Sequence, residues 1–320
     1  MSHRITLVPG DCPELRAPVV TLLAAAGAEL SYDTPEPSDL DAVVASLKRT
    51  GVGLIGWQRG DREGGQAPPA VALRRALGVY AQERPIRDLR GMKSRFSGVD
   101  LVVVRETTED VYAMLEHETI PGVYESLKVT TRAACERIAK HACELARRTG
   151  RRKLSIVHKA NIMKLADGLF LRSCQKVAAD YPDLDVDEVI VDALCMKVVL
   201  DPTRFDVLVC GNLFGDIVGD LCAGLVGGVS NAPSINHAPD VVMFTAGHGD
   251  SPEVAGTGAA NPLPLLLPAL HLLSHLGLPA ESSALRAAIE DTLVAGILPI
   301  RLGGEAGPEA FCAAVGEALA

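Results

Sequence analysis

The sequence predicts an α/β protein with a largely parallel, layered architecture. Short runs of β-branched and apolar residues alternate with longer segments of helical periodicity, as expected where strands are joined by crossover helices. The run Leu101-Val102-Val103-Val104 is apolar throughout, which is typical of a strand buried on both faces of a sheet. The chain has 320 residues, 48% of them hydrophobic, which is enough for about two domains with a large core.

The individual elements follow from these periodicities. Strands are predicted at residues 5–8, 52–56, 100–105, 154–158, 186–191 and 205–210. Residues 131–149 predict an amphipathic helix with an apolar stripe made of Ala134, Ile138, Ala142 and Leu145. The segment 279–295 begins with a proline, which suits the first turn of a helix. Further helices are predicted at 17–27, 70–80, 167–179, 262–276 and 308–319, with a loop at 60–69.

Charge and composition exclude several classes of partner. The chain has 31 basic and 40 acidic side chains, a net charge of −9, whereas binding to nucleic acid or to an anionic membrane requires clustered Lys and Arg. The longest apolar tract, 262–278, is interrupted by two prolines and two histidines, so it does not predict a membrane span. The first residues lead directly into a strand without a signal peptide, and a cytoplasmic location is expected. The expected partner is a small molecule.

The cysteines predict neither disulfides nor a zinc site. None of the eight forms a CxxC pair, and a chain of this size does not need disulfides for stability. We expect reduced and mostly buried thiols.

Three arginines are candidates for carboxylate binding. Arg105 ends the apolar strand 100–105, and a charge at that end faces the crevice where open α/β sheets bind ligands. A guanidinium group can hold a carboxylate through two parallel hydrogen bonds. Arg74 and Arg84 are the other two candidates. The alternative is that all three are ordinary solvated side chains.

The segment 212–220, Asn-Leu-Phe-Gly-Asp-Ile-Val-Gly-Asp, carries the sharpest signal. Asp216 and Asp220 are four residues apart, so a helix would hold them on one face, about 6 Å apart. Like charges at this spacing repel unless a cation lies between them, and carboxylate oxygens are ligands for Mg²⁺ or Mn²⁺. Helix N-capping would explain one of the aspartates but not both. Asp192, after the strand 186–191, is a candidate third carboxylate.

Two further segments contain candidate site residues. Lys159 follows the strand 154–158 among apolar residues that would lower its pKa and suit it as a base, although a lysine in the first turn of a helix is also ordinary. The Gly-rich stretch 245–262 is either functional or disordered, and its His, Asn and acidic residues could recognise an adenine ring and a ribose diol. The turn Pro9-Gly10-Asp11 lacks GxGxxG, so the usual dinucleotide-binding fold is not indicated.

Together these segments resemble the isocitrate/isopropylmalate dehydrogenase family from about Leu73 to about Phe311. The stretches 159–170 and 201–228 are most similar to the NAD-linked isocitrate branch. The resemblance implies an isopropylmalate-dehydrogenase-like two-domain α/β fold with parallel or mixed sheets flanked by helices. The large cofactor domain would comprise 1–79 and 228–320. The small domain, 80–227, would form the dimer interface and carry an arm at about 113–130 that clasps a second subunit.

The resemblance also implies a role for each candidate residue. Tyr112 would be the catalytic acid, and Lys159 and Asn161 would reach in from the neighbouring subunit, with Lys159 as the base. Substrate carboxylates would be held by the arginines Arg74, Arg84 and Arg105. Metal ligands, for Mg²⁺ or Mn²⁺, would be Asp216, Asp220 and the neighbour's Asp192, which is also counted as catalytic. The cofactor site would be lined by His248, Gly249, Glu253 and Asn261, and an acid at the position of Glu253 implies NAD rather than NADP.

The implied reaction is NAD-dependent oxidative decarboxylation of a 3-substituted malate in a homodimer with shared active sites. The isocitrate branch carries Ser or Thr and then Asn before the first arginine to bind the distal carboxylate, whereas this chain has Pro68 and Ala70. We therefore expect an acidic C3 substituent placed differently from that of isocitrate, as in homoisocitrate or a phosphonomethylmalate, with isocitrate itself used less well. The alternatives are a 3-isopropylmalate dehydrogenase, a non-catalytic regulatory subunit of a heteromeric isocitrate dehydrogenase, and a metabolite-binding protein.

Overall fold

The computed structural model describes residues 3–60, 68–249 and 252–319. In chain order the strands are β1 (His3–Val8), β2 (Leu30–Asp33), β3 (Val52–Ile55), β4 (Ala81–Arg87), β5 (Asp100–Glu106), β6 (Glu116–Ile120), β7 (Val123–Ser126), β8 (Lys153–His158), β9 (Asp185–Ile190), β10 (Val207–Cys210), β11 (Ser234–His237) and β12 (Val242–Thr245). The α-helices are α1 (Arg16–Ala25), α2 (Leu40–Thr50), α3 (Pro69–Leu77), α4 (Arg132–Arg148), α5 (Ala166–Ala178), α6 (Val191–Leu200), α7 (Asn212–Leu225), α8 (Leu263–His275), α9 (Pro279–Val294) and α10 (Pro308–Leu319).

The first of two compact units comprises Met1–Gly78, Asp88–Ser94 and Gly227–Ala320. Its strands lie in the order β2-β1-β3-β12-β11, parallel except for β11, which is antiparallel to β12. The buried core of this unit includes Leu7, Leu54, Phe244, Leu266 and Phe311. Because β1, β3 and β12 are parallel, the segments that follow them emerge at one edge of these strands. Those segments carry Asp11, Trp57 and His248.

The second unit comprises Val79–Arg87 and Arg95–Val226. Its strands lie in the order β4-β5-β10-β8-β9, parallel except for β4, which is antiparallel to β5. Its core includes Ile138, Leu154, Ile156, Phe170 and Val209, from α4, α5 and the strands beneath them. The carboxyl ends of β5, β10, β8 and β9 share one edge. Arg105 lies near the end of β5, and α7, Lys159 and α6 follow the other three strands.

The fold class predicted from the sequence is confirmed. The strand–helix alternation forms mixed, mostly parallel sheets flanked by helices in each unit. The predicted domain boundaries at 79/80 and 227/228, and the roles assigned to the two domains, stay predictions. Within the described part of the chain, no helix is long and apolar enough to cross a membrane.

The helix α4 shows how local sequence sets the bounds of an element. The Thr131 side chain accepts a hydrogen bond from the Ala134 amide at 3.2 Å and so caps the start of the helix. Two basic residues, Arg147 and Arg148, occupy its last turn, where they interact favourably with the helix dipole. The helix predicted at 131–149 is therefore confirmed.

Several elements differ from the prediction. The helix predicted at 70–80 ends at Leu77, because Gly78 adopts a left-handed conformation with φ of 67° and closes it. The strand β4 was not predicted, because its sequence Ala-Gln-Glu-Arg-Pro-Ile-Arg is polar and contains a proline. Its polar residues Gln82, Glu83 and Arg84 are nevertheless buried. Of the loop predicted at 60–69, residues 61–67 lie outside the described ranges.

The antiparallel strands β6 and β7 form a two-stranded ribbon within the segment predicted as an arm. Every residue of both strands is exposed, and large apolar side chains stand among them, including Ile120 and Tyr124. An isolated two-stranded ribbon is at best marginally stable in water. Such a surface is typical of a segment that another protein surface covers.

The thiols are reduced and mostly buried, as predicted. All eight cysteines are free, and only Cys195 is partly exposed. Burial raises the pKa of Cys135, Cys222 and Cys312 to about 12. Because the thiolate is the reactive species, these buried groups are inert at neutral pH.

Titration with a thiol reagent is expected to detect at most one rapidly reacting cysteine per native chain, and eight after denaturation. The Cys195→Ser variant is the control, and any rapid reaction should be absent from it. Several fast-reacting thiols in the native protein would contradict the burial of the other seven.

Candidate active site

The first group of candidate residues is centred on Asp216, in the second turn of α7. The buried Arg105 guanidinium donates a hydrogen bond to Asp216 Oδ1, and the Tyr112 hydroxyl donates one to Oδ2. The Arg105 guanidinium also lies 5.0 Å from the centre of the Tyr112 ring. Burial raises the pKa of the Tyr112 hydroxyl, and its hydrogen bond to Asp216 raises this pKa further. Tyr112 therefore stays protonated at neutral pH, as a proton donor must.

A second arginine–aspartate pair lies one helical turn further along α7. Arg84 Nη1 lies 2.5 Å from Asp220 Oδ1, and the arginine is buried whereas the aspartate side chain is 63% exposed. The Arg84 Nε atom is buried without a hydrogen-bond partner among the described residues. A buried guanidinium N–H without an acceptor is costly, so this position suits an anionic ligand.

Two glycines allow α7 to approach these arginines. An added Cβ atom on Gly215 would come within 2.6 Å of Arg105 Cγ, and one on Gly219 within 2.9 Å of Arg84 Nη1. Glycine in the middle of a helix costs about 1 kcal/mol relative to alanine. In the segment Gly-Asp-Ile-Val-Gly-Asp, this cost is offset because each glycine leaves room for an arginine side chain. The aspartate that follows each glycine then binds that arginine.

The second group is the pair formed by Lys159 and Asp192. Their side chains meet because His158 and Ile190 are partners in the β8–β9 register, and the chain continues from each to Lys159 and to the first turn of α6. Lys159 Nζ lies 2.5 Å from Asp192 Oδ1, and this hydrogen bond lowers the pKa of the Asp192 carboxyl. Asp192 does not join Asp216 and Asp220 within 4.8 Å in the single chain. Asn161 is exposed in the turn before α5.

A third group lies in the first unit, beside a pocket lined by residues from the ends of β1, β3 and β12. The lining includes Asp11, Trp57, Gly249 and Asn261. The rings of Trp57 and His248 are stacked, with centroids 4.6 Å apart and an interplanar angle of 24°. Asn261 is buried and accepts a hydrogen bond from the Leu263 amide at the start of α8.

Glu253 and Arg74 also belong to the first unit. Glu253 Oε1 lies 2.6 Å from Arg59 Nη1. Arg74 lies on α3, and its Nε donates a hydrogen bond to the Ala70 carbonyl at 3.2 Å. The residues Asp250 and Ser251, between His248 and Glu253, lie outside the described ranges.

The chain was compared with protein families, with curated proteins and with solved structures. The family model described as isocitrate/isopropylmalate dehydrogenase matches residues 39–319. This protein belongs to the isocitrate/isopropylmalate dehydrogenase family.

Relatives in this family come from both of its branches. The chain is 39% identical to the probable mitochondrial NAD isocitrate dehydrogenase subunit alpha of Caenorhabditis elegans, over 92% of this chain and 86% of that one. It is 43% identical to the chloroplastic 3-isopropylmalate dehydrogenase of Solanum tuberosum, over 79% of this chain and 71% of that one. The crystal structure of isocitrate dehydrogenase from Methylococcus capsulatus is 36% identical, with a TM-score of 0.90 over 99% of both chains. The family membership therefore indicates a decarboxylating dehydrogenase.

In this family member, a partly buried lysine connects the two groups of the second unit. Lys128 Nζ lies 2.8 Å from Asp110 Oδ2 and 3.4 Å from Asp167 Oδ1. Asp110 Oδ1 accepts a hydrogen bond from the Val111 amide, next to Tyr112, while Asp167 Oδ2 accepts one from the Lys159 amide. Lys128 thus anchors the segments that carry Tyr112 and Lys159.

The lysine and its aspartates were not identified as site residues from the sequence. Asp110 has a positive φ of 78°, which is uncommon outside glycine and often marks a functional segment. No periodicity or motif signals such a conformation. The sequence did offer one signal for Asp167 as a site residue. It is an acidic residue that comes soon after Lys159, at the start of the helix predicted at 167–179.

Proposed function

We propose that this protein catalyses the NAD-dependent oxidative decarboxylation of a 3-substituted malate with an acidic C3 substituent, giving a 2-oxo acid, CO₂ and NADH. The contact of Asp216 with both Arg105 and Tyr112 is the observation that carries the proposal. Three groups meet there. Arg105 is a cation suited to binding a carboxylate, Tyr112 is a protonated hydroxyl, and Asp216 is a carboxylate suited to binding a metal ion. This combination suits the deprotonation of a hydroxy acid and, once NAD has oxidised C2 to a ketone, its decarboxylation and reprotonation.

The aspartates in the second and third turns of α7 fit a divalent metal ion. Asp216 and Asp220 present hard oxygen donors on successive turns, and each already binds a cationic guanidinium group. With Asp192 of the neighbouring subunit they would hold Mg²⁺ or Mn²⁺. The metal would supply Lewis acidity at the C2 oxygen of the substrate, and NAD would accept the hydride from C2.

Two side chains would move the protons. Lys159 of the neighbouring subunit would take the C2 hydroxyl proton, and its contact with Asp192 holds the amine in place before the substrate binds. After the carboxylate at C3 leaves as CO₂, Tyr112 would donate its proton to C3. The two groups have opposite tasks, and the raised pKa of Tyr112 suits a donor.

The arginines would hold the substrate in position. Arg84 and Arg105 are buried against α7, so their guanidinium groups have little freedom and present fixed donors. A carboxylate held in this way keeps the C2–H bond directed at the cofactor, which lowers the entropic part of the barrier. Arg74, on α3, would bind a further carboxylate.

We propose a homodimer with shared sites, and the exposed apolar surface of the second unit supports this proposal. The ribbon of β6 and β7 exposes Ile120 and Tyr124, and near Lys159 the side chains of Ile162 and Leu165 are 70% and 87% exposed. Burying these groups against a second copy would be favourable at about 25 cal/mol per Å² of apolar surface. The same contact would place the segment of Lys159 beside another subunit.

The residues at the start of α3 bear on which C3 substituent of the substrate the site would bind. Pro68 precedes this helix and Ala70 lies in its first turn, and neither offers a side-chain donor for a distal carboxylate. A loss of charged hydrogen bonds of this kind costs about 1.5–3 kcal/mol each. We therefore propose that isocitrate is a weaker substrate than a malate whose acidic C3 substituent places its charge differently.

The alternative activity is that of a 3-isopropylmalate dehydrogenase, which the identity to the Solanum tuberosum enzyme favours. Against it, the residue types Ala67 and Ala70 offer little apolar surface for an isopropyl group.

NADH formation with a panel of malates is the test. The purified protein with Mn²⁺ is supplied with isocitrate, homoisocitrate, phosphonomethylmalate or 3-isopropylmalate, and with NAD or NADP. We expect NAD to exceed NADP, because the carboxylate of Glu253 would repel a 2′-phosphate. We expect the highest kcat/KM with an acidic substituent other than that of isocitrate, and the lowest with 3-isopropylmalate.

The variant Lys159→Met provides the background rate in each assay. A highest kcat/KM with 3-isopropylmalate would overturn the substrate proposal, and equal or better turnover with NADP would overturn the cofactor proposal. No turnover with any malate would favour a regulatory subunit or a metabolite-binding protein.

A further inference from the structure

The segment 56–59, which follows β3, is held rigidly against the turn after β1. The Gly56 amide donates to the Val8 carbonyl at 2.7 Å, and the Asp11 amide donates to the Trp57 carbonyl at 3.0 Å. The Arg59 amide in turn donates to Asp11 Oδ2 at 2.6 Å. A Cβ atom on Gly56 would overlap the backbone of Pro9, so only glycine permits this crossing. The backbone that carries Trp57 and Arg59 is therefore fixed by hydrogen bonds and close packing.

Trp57 presents an aromatic ring to the pocket of the first unit. It is the only tryptophan in the sequence. Its ring is stacked on that of His248, and a Cβ atom on Gly249 would come within 2.9 Å of Trp57 Cβ. The ring and the Gly-rich loop are thus in contact over two successive residues. Trp57 is partly buried and His248 is exposed. Stacked aromatic rings beside a pocket form a surface suited to a planar heteroaromatic ligand.

Arg59 binds the carboxylate of Glu253 in the same loop. The two charged groups are 2.6 Å apart, and their side chains are 41% and 67% exposed. An exposed ion pair adds little to stability, so the contact is better explained by the orientation that it gives to the carboxylate. It also places a guanidinium group beside the residue that would meet the ribose.

We propose that Trp57 and Arg59 are cofactor-binding residues that shape the adenosine end of the dinucleotide site. Trp57, with His248, forms the surface on which the adenine ring stacks. Arg59 orients Glu253 toward the ribose hydroxyls, and it becomes attractive to a 2′-phosphate once the charge of Glu253 is removed. This proposal rests on the proposed use of NAD, and it assigns two residues of this chain to that site.

The single tryptophan makes the first part directly measurable in the full-length protein. Titration with NADH or AMP is expected to change the Trp57 emission saturably, whereas nicotinamide mononucleotide is not. In Trp57→Leu, the Kd for NADH is expected to rise about 3- to 10-fold, as for the loss of an aromatic stacking contact. Trp57→Phe is expected to restore most of the affinity because it keeps a ring. Kd values for the variants come from calorimetry, and thermal unfolding reports whether each variant is folded.

A double-mutant comparison tests Arg59. Glu253→Gln is expected to bring the KM for NADP closer to that for NAD, and this gain should disappear in Glu253→Gln/Arg59→Gln. Arg59→Gln alone is expected to raise the KM for NAD with little change in kcat or in the KM for the malate. The matched control is Arg49→Gln, which removes a 2.6 Å ion pair to Asp33 elsewhere in the same unit and should leave the kinetics unchanged.

The outcomes separate this proposal from the proposed function. If the wild-type protein does not bind NADH by calorimetry, the use of NAD is wrong. If NADH binds but Trp57 emission responds only to nicotinamide mononucleotide, or if Trp57→Leu binds NADH as well as the wild type, the assignment of Trp57 is wrong while the function stands. A gain for NADP that persists in the double variant would overturn the role of Arg59.

Discussion

Turnover in the Asp216→Asn variant is expected to fall by a factor of about a hundred or more, comparable with the loss of a key electrostatic group in other active sites. The neutral amide is a poorer ligand for a divalent cation, and it no longer balances the charge of the buried Arg105. The measurement is kcat as a function of Mn²⁺ concentration, together with circular dichroism to show that the variant is folded. The metal concentration required for half-maximal activity should rise.

Asp183→Asn is the matched control for this variant. Asp183 forms an ion pair with Arg147, and both side chains are about half exposed, so its loss should leave activity and metal dependence unchanged. Full activity of Asp216→Asn, or of the wild type in excess chelator, would show that the reaction does not use a metal bound at Asp216.

Mixing two inactive variants is expected to restore activity if the active sites are shared. Tyr112→Phe and Lys159→Met each remove a proton-transferring group, which should lower kcat about 10²- to 10⁴-fold. After subunit exchange, about half of the dimers would contain one chain of each kind. One of the two sites in each mixed dimer would be intact, giving about a quarter of the wild-type activity.

The control is each variant put through the same exchange alone, with differently tagged chains to measure exchange. If Lys159 served the site of its own chain, each mixed dimer would have two damaged sites. Exchange without recovery of activity would therefore refute the shared site.

The site residues at the carboxyl ends of the parallel strands could be predicted from the sequence. Arg105 and Lys159 follow apolar runs, and a polar group directly after a buried strand lies at the edge where α/β sheets bind ligands. The spacing of Asp216 and Asp220 likewise predicts a shared helix face, and α7 holds both. The repulsion expected between them is relieved in the structure by two arginines.

Other parts of the site could not be predicted, because they depend on contacts between segments far apart in the chain. The strand β4 is buried although it is polar, since Arg84 finds its partner on α7, 136 residues later. Trp57 meets His248, which is 191 residues later in the chain, and no local pattern relates them. Lys128 is one of nine lysines in the sequence, and only the fold shows that it lies between two buried aspartates.

The two aspartates of α7 and their arginine partners have a consequence for how the affinities of the two proposed ligands depend on each other. Each guanidinium group suited to the substrate neutralises a carboxylate suited to the metal. A metal ion that binds the aspartates leaves the arginines in need of an anion, and a bound carboxylate leaves the aspartates in need of a cation. The two proposed ligands would thus be thermodynamically linked: whatever factor the metal contributed to substrate affinity, the substrate would contribute to metal affinity. The net charge of the two arginines and two aspartates would therefore stay nearly balanced in two states. With both ligands absent they pair with each other, and with both present each group would pair with a ligand instead.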